Sequence, residues 1–206
     1  MLIVHHLNNS RSQRILWLLE ELAVPYEIKA YERDAVTNLA PPELLQVHPL
    51  GKSPMIDDDG RLVTESAAIV EYICAKHGRH MVPEIGSDEH ITHQELMHFA
   101  EGSAMTPILL ALYVGRLGEA GGPLQPRIQE QLQSHFAYMN EMIRSSGHFV
   151  LDELSAVDIM MSFPAEVAIM QGRGDEFPKL ASWVKSMHAR PAYQRALEKG
   201  GPYRFA

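Results

Sequence analysis

The segment from His6 to Ser12, HLNNSRS, gathers an imidazole, two amides, two hydroxyls and a guanidinium between an apolar run and an amphipathic pattern reaching Leu22. A helix that starts in such a turn presents unpaired N–H groups and roughly half a positive charge, which suits an anion or a thiolate. The turn holds no cysteine and no glycine loop, so by itself it does not say which anion it serves. A second helix opens at Thr64-Glu65-Ser66, where a strand end meets an N-cap residue. The one cysteine, Cys74, lies at helical spacing in SAAIVEYICAKHG and is read as a small buried core residue, not a nucleophile.

Eleven histidines raise the question of a metal. HITHQELMH carries His90, His93 and His98, and the i, i+3 spacing of His90 and His93 lets them share a helix face. No cysteine or carboxylate completes a recognisable set, so exposed helix histidines and no metal are expected. His5 and His6 point to opposite faces of a strand and cannot hold one ion together.

The charge balance is −8, from 18 basic and 26 acidic residues, which argues against a general nucleic-acid or anionic-membrane binder. A single cysteine leaves no disulfide framework, no CxxC pair and no cysteine-rich metal site. No apolar run approaches a membrane span, and Met1 leads straight into LIVHHL without an export signal, so the expectation is a cytoplasmic protein.

The elements that must position these residues follow from periodicity. Leu2 to Leu7 suits a buried strand, HLNNSRSQRILWLLEEL a turn and helix, and YEIKAY, Tyr26 to Tyr31, an alternating strand. That is a βαβ unit, with parallel strands and a right-handed crossover. Pro41 and Pro42 open a short helix, MIDDDGRLVTES is a hairpin turning at Asp59-Gly60, and Ser66 to His77 is a helix. GRHMVPEIGSD is the linker candidate. Beyond it only helices are expected: Asp88 to Leu117, interrupted at Pro107; a loop at GEAGGPLQP; and Arg127 to Arg144, with Ile128, Leu132, Phe136, Met139 and Ile143 on one face. A helix then opens with Ser155 and Asp158 as capping box and Leu154 with Ile159 as staple, and two shorter helices part at Arg190-Pro191.

A β-α-β-α-β-β-α unit followed by an all-helical half resembles the cytosolic glutathione S-transferase family, in its bacterial, serine- or asparagine-type, theta- or nu-like form. LGKSPMI is similar to the family's loop into a cis-proline, TESAAIVEYI to its Glu-Ser turn, SAVDIMM to its capping box and RPAYQRA to its closing helix. The resemblance implies an α/β plus all-α protein, with a thioredoxin-like glutathione-binding domain at 1–78 and an all-helical domain at 88–206. It implies glutathione as co-substrate, its sulfur lying at the start of the first helix. Ser10 aligns best with the serine-type activating residue, with Asn9 and Arg11 as alternatives; all three also suit plain helix capping.

The same resemblance places Glu65 against the γ-glutamyl ammonium and Ser66 against its carboxylate. It makes Ser53-Pro54 a cis bond facing the cysteinyl backbone, and sets Lys52, with weaker help from His48, toward the glycyl carboxylate. An apolar electrophile or a peroxide would lie near Met105, Ile108, Leu109 and Tyr113, residues that equally suit a core. The implied activity is glutathione transfer. A glutathione-dependent peroxidase or disulfide reductase, or a non-catalytic glutathione-binding regulatory protein, are the alternatives, and a homodimer is the family expectation.

Overall fold

The computed structural model describes residues 1–206 and divides into two compact units, one formed by 1–80 together with 187–206, the other by 81–186. In the first unit, strand β1 (Leu2–Leu7) pairs in parallel with β2 (Tyr26–Tyr31), from Leu2 opposite Tyr26 to Leu7 opposite Tyr31. β1 also pairs antiparallel with β3 (Met55–Asp58), and β3 with β4 (Arg61–Thr64), giving the sheet order β2-β1-β3-β4. The β3–β4 turn places Asp59 at φ 52° and Gly60 at φ 89°, the pair of positive values a two-residue hairpin requires.

Central β1 has both faces covered, and its alternation sorts the chemistry. Leu7 joins Tyr31, Leu44 and Met55 in a small cluster on one face. His5 belongs to that face, its Nδ1 2.9 Å from the Tyr31 hydroxyl, while His6 turns the other way toward the helices. Helix α1 (Gln13–Glu21) buries every residue but its last. Helix α2 (Ser66–His77) follows the sheet.

The second unit is helical. α3 (Asp88–His98) runs through a wide π-type turn, Phe99–Ala104, into α4 (Met105–Gly115). The expected interruption at Pro107 is therefore displaced: the proline sits buried within α4, and the helix widens in the turn before it. A proline lacks the N–H for the Ser103 carbonyl and its ring crowds that oxygen, and a wider turn relieves both. GEAGGPLQP is not a loop but a 3₁₀ turn, Gly118–Leu124, leading into α5 (Gln125–Met142). Gly121 permits it, since a Cβ there would lie 2.5 Å from the Val114 carbonyl oxygen. Ile128, Leu132, Phe136 and Met139 of α5 are buried as expected, whereas Ile143 lies past the helix end and is half-buried.

α6 (Ala156–Met170) is almost wholly buried and begins at the expected capping box. Asp158 is fully buried and accepts from the Ser155 N–H at 2.8 Å, the Ser155 hydroxyl at 2.7 Å and the Trp183 indole at 3.3 Å. α7 (Pro178–His188) and α8 (Pro191–Gly200) follow.

α8 and the residues after it belong to the first unit. Glu20 accepts from Tyr26 Oη at 2.9 Å, Arg195 Nε at 2.8 Å and the Lys199 ammonium, and Glu21 takes both Nε and Nη2 of Arg190 at 2.6 and 3.0 Å. Burial pushes the Glu20 carboxyl up, but the bonds from Lys199, Arg195 and Tyr26 outweigh it and hold the group below the usual glutamate value. Its stabilising contribution is full above the ordinary value of 4.5 and is lost as pH falls through the depressed folded one. Glu20→Gln should therefore lower stability most at neutral pH, and the gap from wild type, followed by urea unfolding at several pH values, should narrow in acid.

Candidate active site

The chain leaves β1 through a turn whose backbone is tied down on every side. Asn9 adopts φ 49°, a left-handed conformation that asparagine tolerates. Arg33 clamps the turn: its N–H donates to Asn8 Oδ1 at 2.9 Å, its Nε to the Asn8 carbonyl at 3.1 Å and its Nη2 to the Asn9 carbonyl at 3.5 Å. The Asn9 amide is fixed from the C-terminal tail, because the Arg204 N–H donates to Asn9 Oδ1 at 2.9 Å. With that oxygen engaged, the Asn9 NH₂ is the end left to donate.

Helix α1 begins later than Ser10. Ser12 is its N-cap, and Ile15 and Leu16 donate to the Ser12 carbonyl at 3.0 and 3.2 Å. Ser10 and Ser12 are buried, their hydroxyl oxygens 2.8 Å apart, and Ser12 Oγ lies 2.8 Å from His6 Nδ1. The far nitrogen, His6 Nε2, is 3.1 Å from the carbonyl oxygen of Gly200, the last residue of α8.

Proton accounting fixes the directions of these bonds. A carbonyl only accepts, so His6 Nε2 carries a hydrogen. Burial pushes the His6 imidazole below its ordinary value, against an opposing effect of the Gly200 carbonyl, so the ring is neutral near pH 7 and Nδ1 accepts. Ser12 shares its one hydrogen between that nitrogen at 2.8 Å and the Leu7 carbonyl at 3.2 Å, which leaves Ser10 as the donor to Ser12. The Ser10 oxygen in turn accepts the Ser12 N–H at 3.2 Å. Ser10 thus gives its own proton to Ser12. Arg11 is half-buried beside it.

The second helix start lies on the same unit. Glu65 is exposed and holds φ 68°, ψ 125°, outside the regions open to an L-residue without strain. Its carbonyl accepts from Ile69 at 2.9 Å, so the N–H groups of residues 66 to 68 lie ahead of the helix ladder. Ser66 is buried at this end, and Arg14, a buried arginine of α1, reaches its hydroxyl with Nη2 at 3.5 Å. Arg14 was not among the expected site residues; an arginine inside the apolar run RILWLL is the signal that could have marked it.

Ser53 and Pro54 are buried and joined by a cis peptide bond, as the resemblance implied, and Ser53 Oγ donates to the His5 carbonyl at 2.9 Å. Lys52 is exposed on the same loop, and His48 Nδ1 accepts the Leu50 N–H at 3.3 Å.

The other candidates lie apart from these. Met105 and Ile108 are core residues of the helical unit, Leu109 is half-buried and Tyr113 exposed. His90 and His93 do share a face, with rings stacked at 6.0 Å, but His93 is buried, not exposed as expected, because its helix face packs inward with Leu96 and Met97. No group of three or more histidine, cysteine or carboxylate side chains is placed to hold a metal. Cys74 is sealed in the core, and burial with help from Glu71 pushes its thiol up to about 12. The protein's own sulfur is therefore no nucleophile near neutral pH.

Comparison with known proteins bears on what the two helix starts serve. Residues 1–75 match the model of the glutathione S-transferase N-terminal domain. Glutathione S-transferase 3 of Schizosaccharomyces pombe is 34% identical over 97% of this chain and 88% of its own. Glutathione S-transferase 1 of Saccharomyces cerevisiae is 29% identical, over 95% and 94%. A glutathione S-transferase structure from Actinobacillus pleuropneumoniae superposes with a TM-score of 0.89 at 26% identity, covering 99% of this chain and 94% of that one.

The strain at Glu65 makes a direct prediction. Glu65→Ala and Glu65→Gly both remove the carboxylate, but only glycine relaxes at positive φ. The glycine variant should be the more stable of the two by about 1 kcal/mol in urea unfolding.

Proposed function

The chain belongs to the glutathione S-transferase family, with glutathione as its co-substrate, and we propose that the tripeptide is held between the two helix starts of the first unit. The γ-glutamyl carboxylate takes the N–H groups at the start of α2 and the Ser66 hydroxyl, with the Arg14 guanidinium beneath them. Glu65 pairs with the γ-glutamyl ammonium. The Ser53 backbone pairs with the cysteinyl residue as one rung of an antiparallel ladder, and Lys52 meets the glycyl carboxylate with His48 behind it.

The sulfur lies at the start of α1. The observation that carries this reading is the fixed Asn9 amide: with Oδ1 held by Arg204, its NH₂ is preset to donate to a thiolate and needs no reorganisation on binding. The helix terminus adds its partial positive charge and Arg11 a full one. A free thiol ionises near 8.5, and each unit of depression corresponds to about 1.4 kcal/mol of preference for the thiolate. The thiolate then attacks an electrophilic carbon, or a peroxide oxygen, of a small apolar substrate.

The decisive measurement is the pH titration of thiolate absorbance for glutathione bound to wild type and variants. Bound glutathione should ionise well below its free value, and Asn9→Ala should move it back by about one unit. Binding without any depression would replace the transferase by a glutathione-binding regulatory protein. In calorimetry, Ser66→Ala should weaken glutathione binding about tenfold.

The working protein is proposed to be a two-fold homodimer acting in the cytoplasm. The exposed apolar side chains Leu45, Leu50 and Leu62 of the first unit and Leu110, Leu112 and Tyr113 of α4 are surface a partner copy would cover. Light scattering at micromolar concentration should give twice the chain mass, and a monomer would overturn the dimer.

A further inference from the structure

We infer that His6 is the acceptor of the thiol proton of bound glutathione, reached through the hydroxyls of Ser10 and Ser12. This rests on the reading of the Asn9–Ser10 turn as the thiol site. The atoms are spaced for the transfer, Ser10 Oγ 2.8 Å from Ser12 Oγ and Ser12 Oγ 2.8 Å from His6 Nδ1, nearer than the Leu7 carbonyl at 3.2 Å to which Ser12 also donates. The Ser10 oxygen accepts the Ser12 N–H at 3.2 Å and has a second lone pair.

The step balances without any further reactant. The S–H bond of glutathione breaks and its proton bonds to Ser10 Oγ. The former Ser10 proton moves to Ser12 Oγ, and the former Ser12 proton to His6 Nδ1. The electron pair of the S–H bond stays on sulfur. The products are a thiolate and an imidazolium, with both serines neutral as before.

Burial works against an imidazolium at His6, and two helix ends work for the charge pair. The thiolate lies at the positive end of α1. The imidazolium donates through Nε2 to Gly200, whose carbonyl closes α8 and lies at that helix's negative end. Gly200 allows the close approach, for a Cβ there would meet Leu16 Cδ1 at 2.8 Å and His6 Cε1 at 3.4 Å.

Charged groups on the surrounding elements are held elsewhere. His5, on the opposite face of β1, bonds Tyr31; Arg14 of α1 reaches Ser66; Glu20 takes Arg195 and Lys199 of α8, Glu21 takes Arg190, and Glu198 is exposed. Lys29 of β2 lies over the Tyr31 ring, and Asp58 of β3 pairs with Lys76. The influences on His6 itself are burial and the Gly200 carbonyl, with no neighbouring charge among them. No other base stands on this path.

The test compares two quantities on binding glutathione near neutral pH: thiolate formed, from ultraviolet absorbance, and protons released to a weakly buffered indicator. If His6 stores the proton, wild type forms thiolate while releasing far fewer than one proton for each. His6→Gln, which keeps a donor for Gly200 but no base, and Ser10→Ala, which opens the path at its outer end, should both release about one proton per thiolate formed. One proton per thiolate in wild type would overturn the inference even if neither variant folds. Absence of any thiolate in wild type would instead overturn the transferase reading on which it stands.

Discussion

One side chain fixes the end of the first strand, the turn and the start of the first helix together. Ser12 Oγ accepts the Leu7 N–H at 3.3 Å, receives Ser10, and shares its own hydrogen between the Leu7 carbonyl at 3.2 Å and His6 Nδ1 at 2.8 Å. The same residue begins the helical ladder through its carbonyl. All of this happens out of water, since Ser12, Ser10 and His6 are buried, so each bond carries the full cost of its absence. The position of Asn9, and with it the donor proposed for the thiolate, follows from that arrangement.

The last twenty residues complete the unit that the first eighty begin. α8 delivers Gly200 to His6 and two cations to Glu20; Arg190, just before that helix, pairs with Glu21; and the tail delivers the Arg204 N–H to Asn9. A turn at the exit of a strand is ordinarily a mobile place. Here it is held by bonds from the tail and from Arg33 after β2, so the Asn9 amide is oriented before any ligand arrives.

In the proposed site the two helix starts divide the recognition of one glutathione. The α2 terminus, with Ser66 and buried Arg14, is suited to a permanent carboxylate. The α1 terminus, with Asn9 and the Ser10–Ser12–His6 chain, is suited to a group that gains its charge on binding. Glu65 keeps a backbone conformation that glycine would hold more cheaply, as expected where a side chain is retained for contact at some cost in stability. With Cys74 buried and its thiol pushed up, the reacting sulfur is imported, and the protein contributes placement and electrostatics.

Much of this was legible along the chain, because the signals are short. Alternation in LIVHHL and YEIKAY, the Asp59-Gly60 turn, the helix opening at Ser66 and the Ser155–Asp158 capping box depend on residues a few positions apart, and each appears where the sequence placed it. The widened turn before Pro107 and the burial of His93 depend on neighbours in space and were not legible. The same holds for Arg14 beneath Ser66 and Arg33 around the Asn8–Asn9 turn. It holds most of all for His6 and Gly200, which meet across 194 positions. Sequence determined which elements form and which residue types stand at their ends, since periodicity and capping act within a turn or two. Tertiary structure alone decided which way the protons of Ser10, Ser12 and His6 point, since a hydrogen bond's direction depends on the partner at its far end.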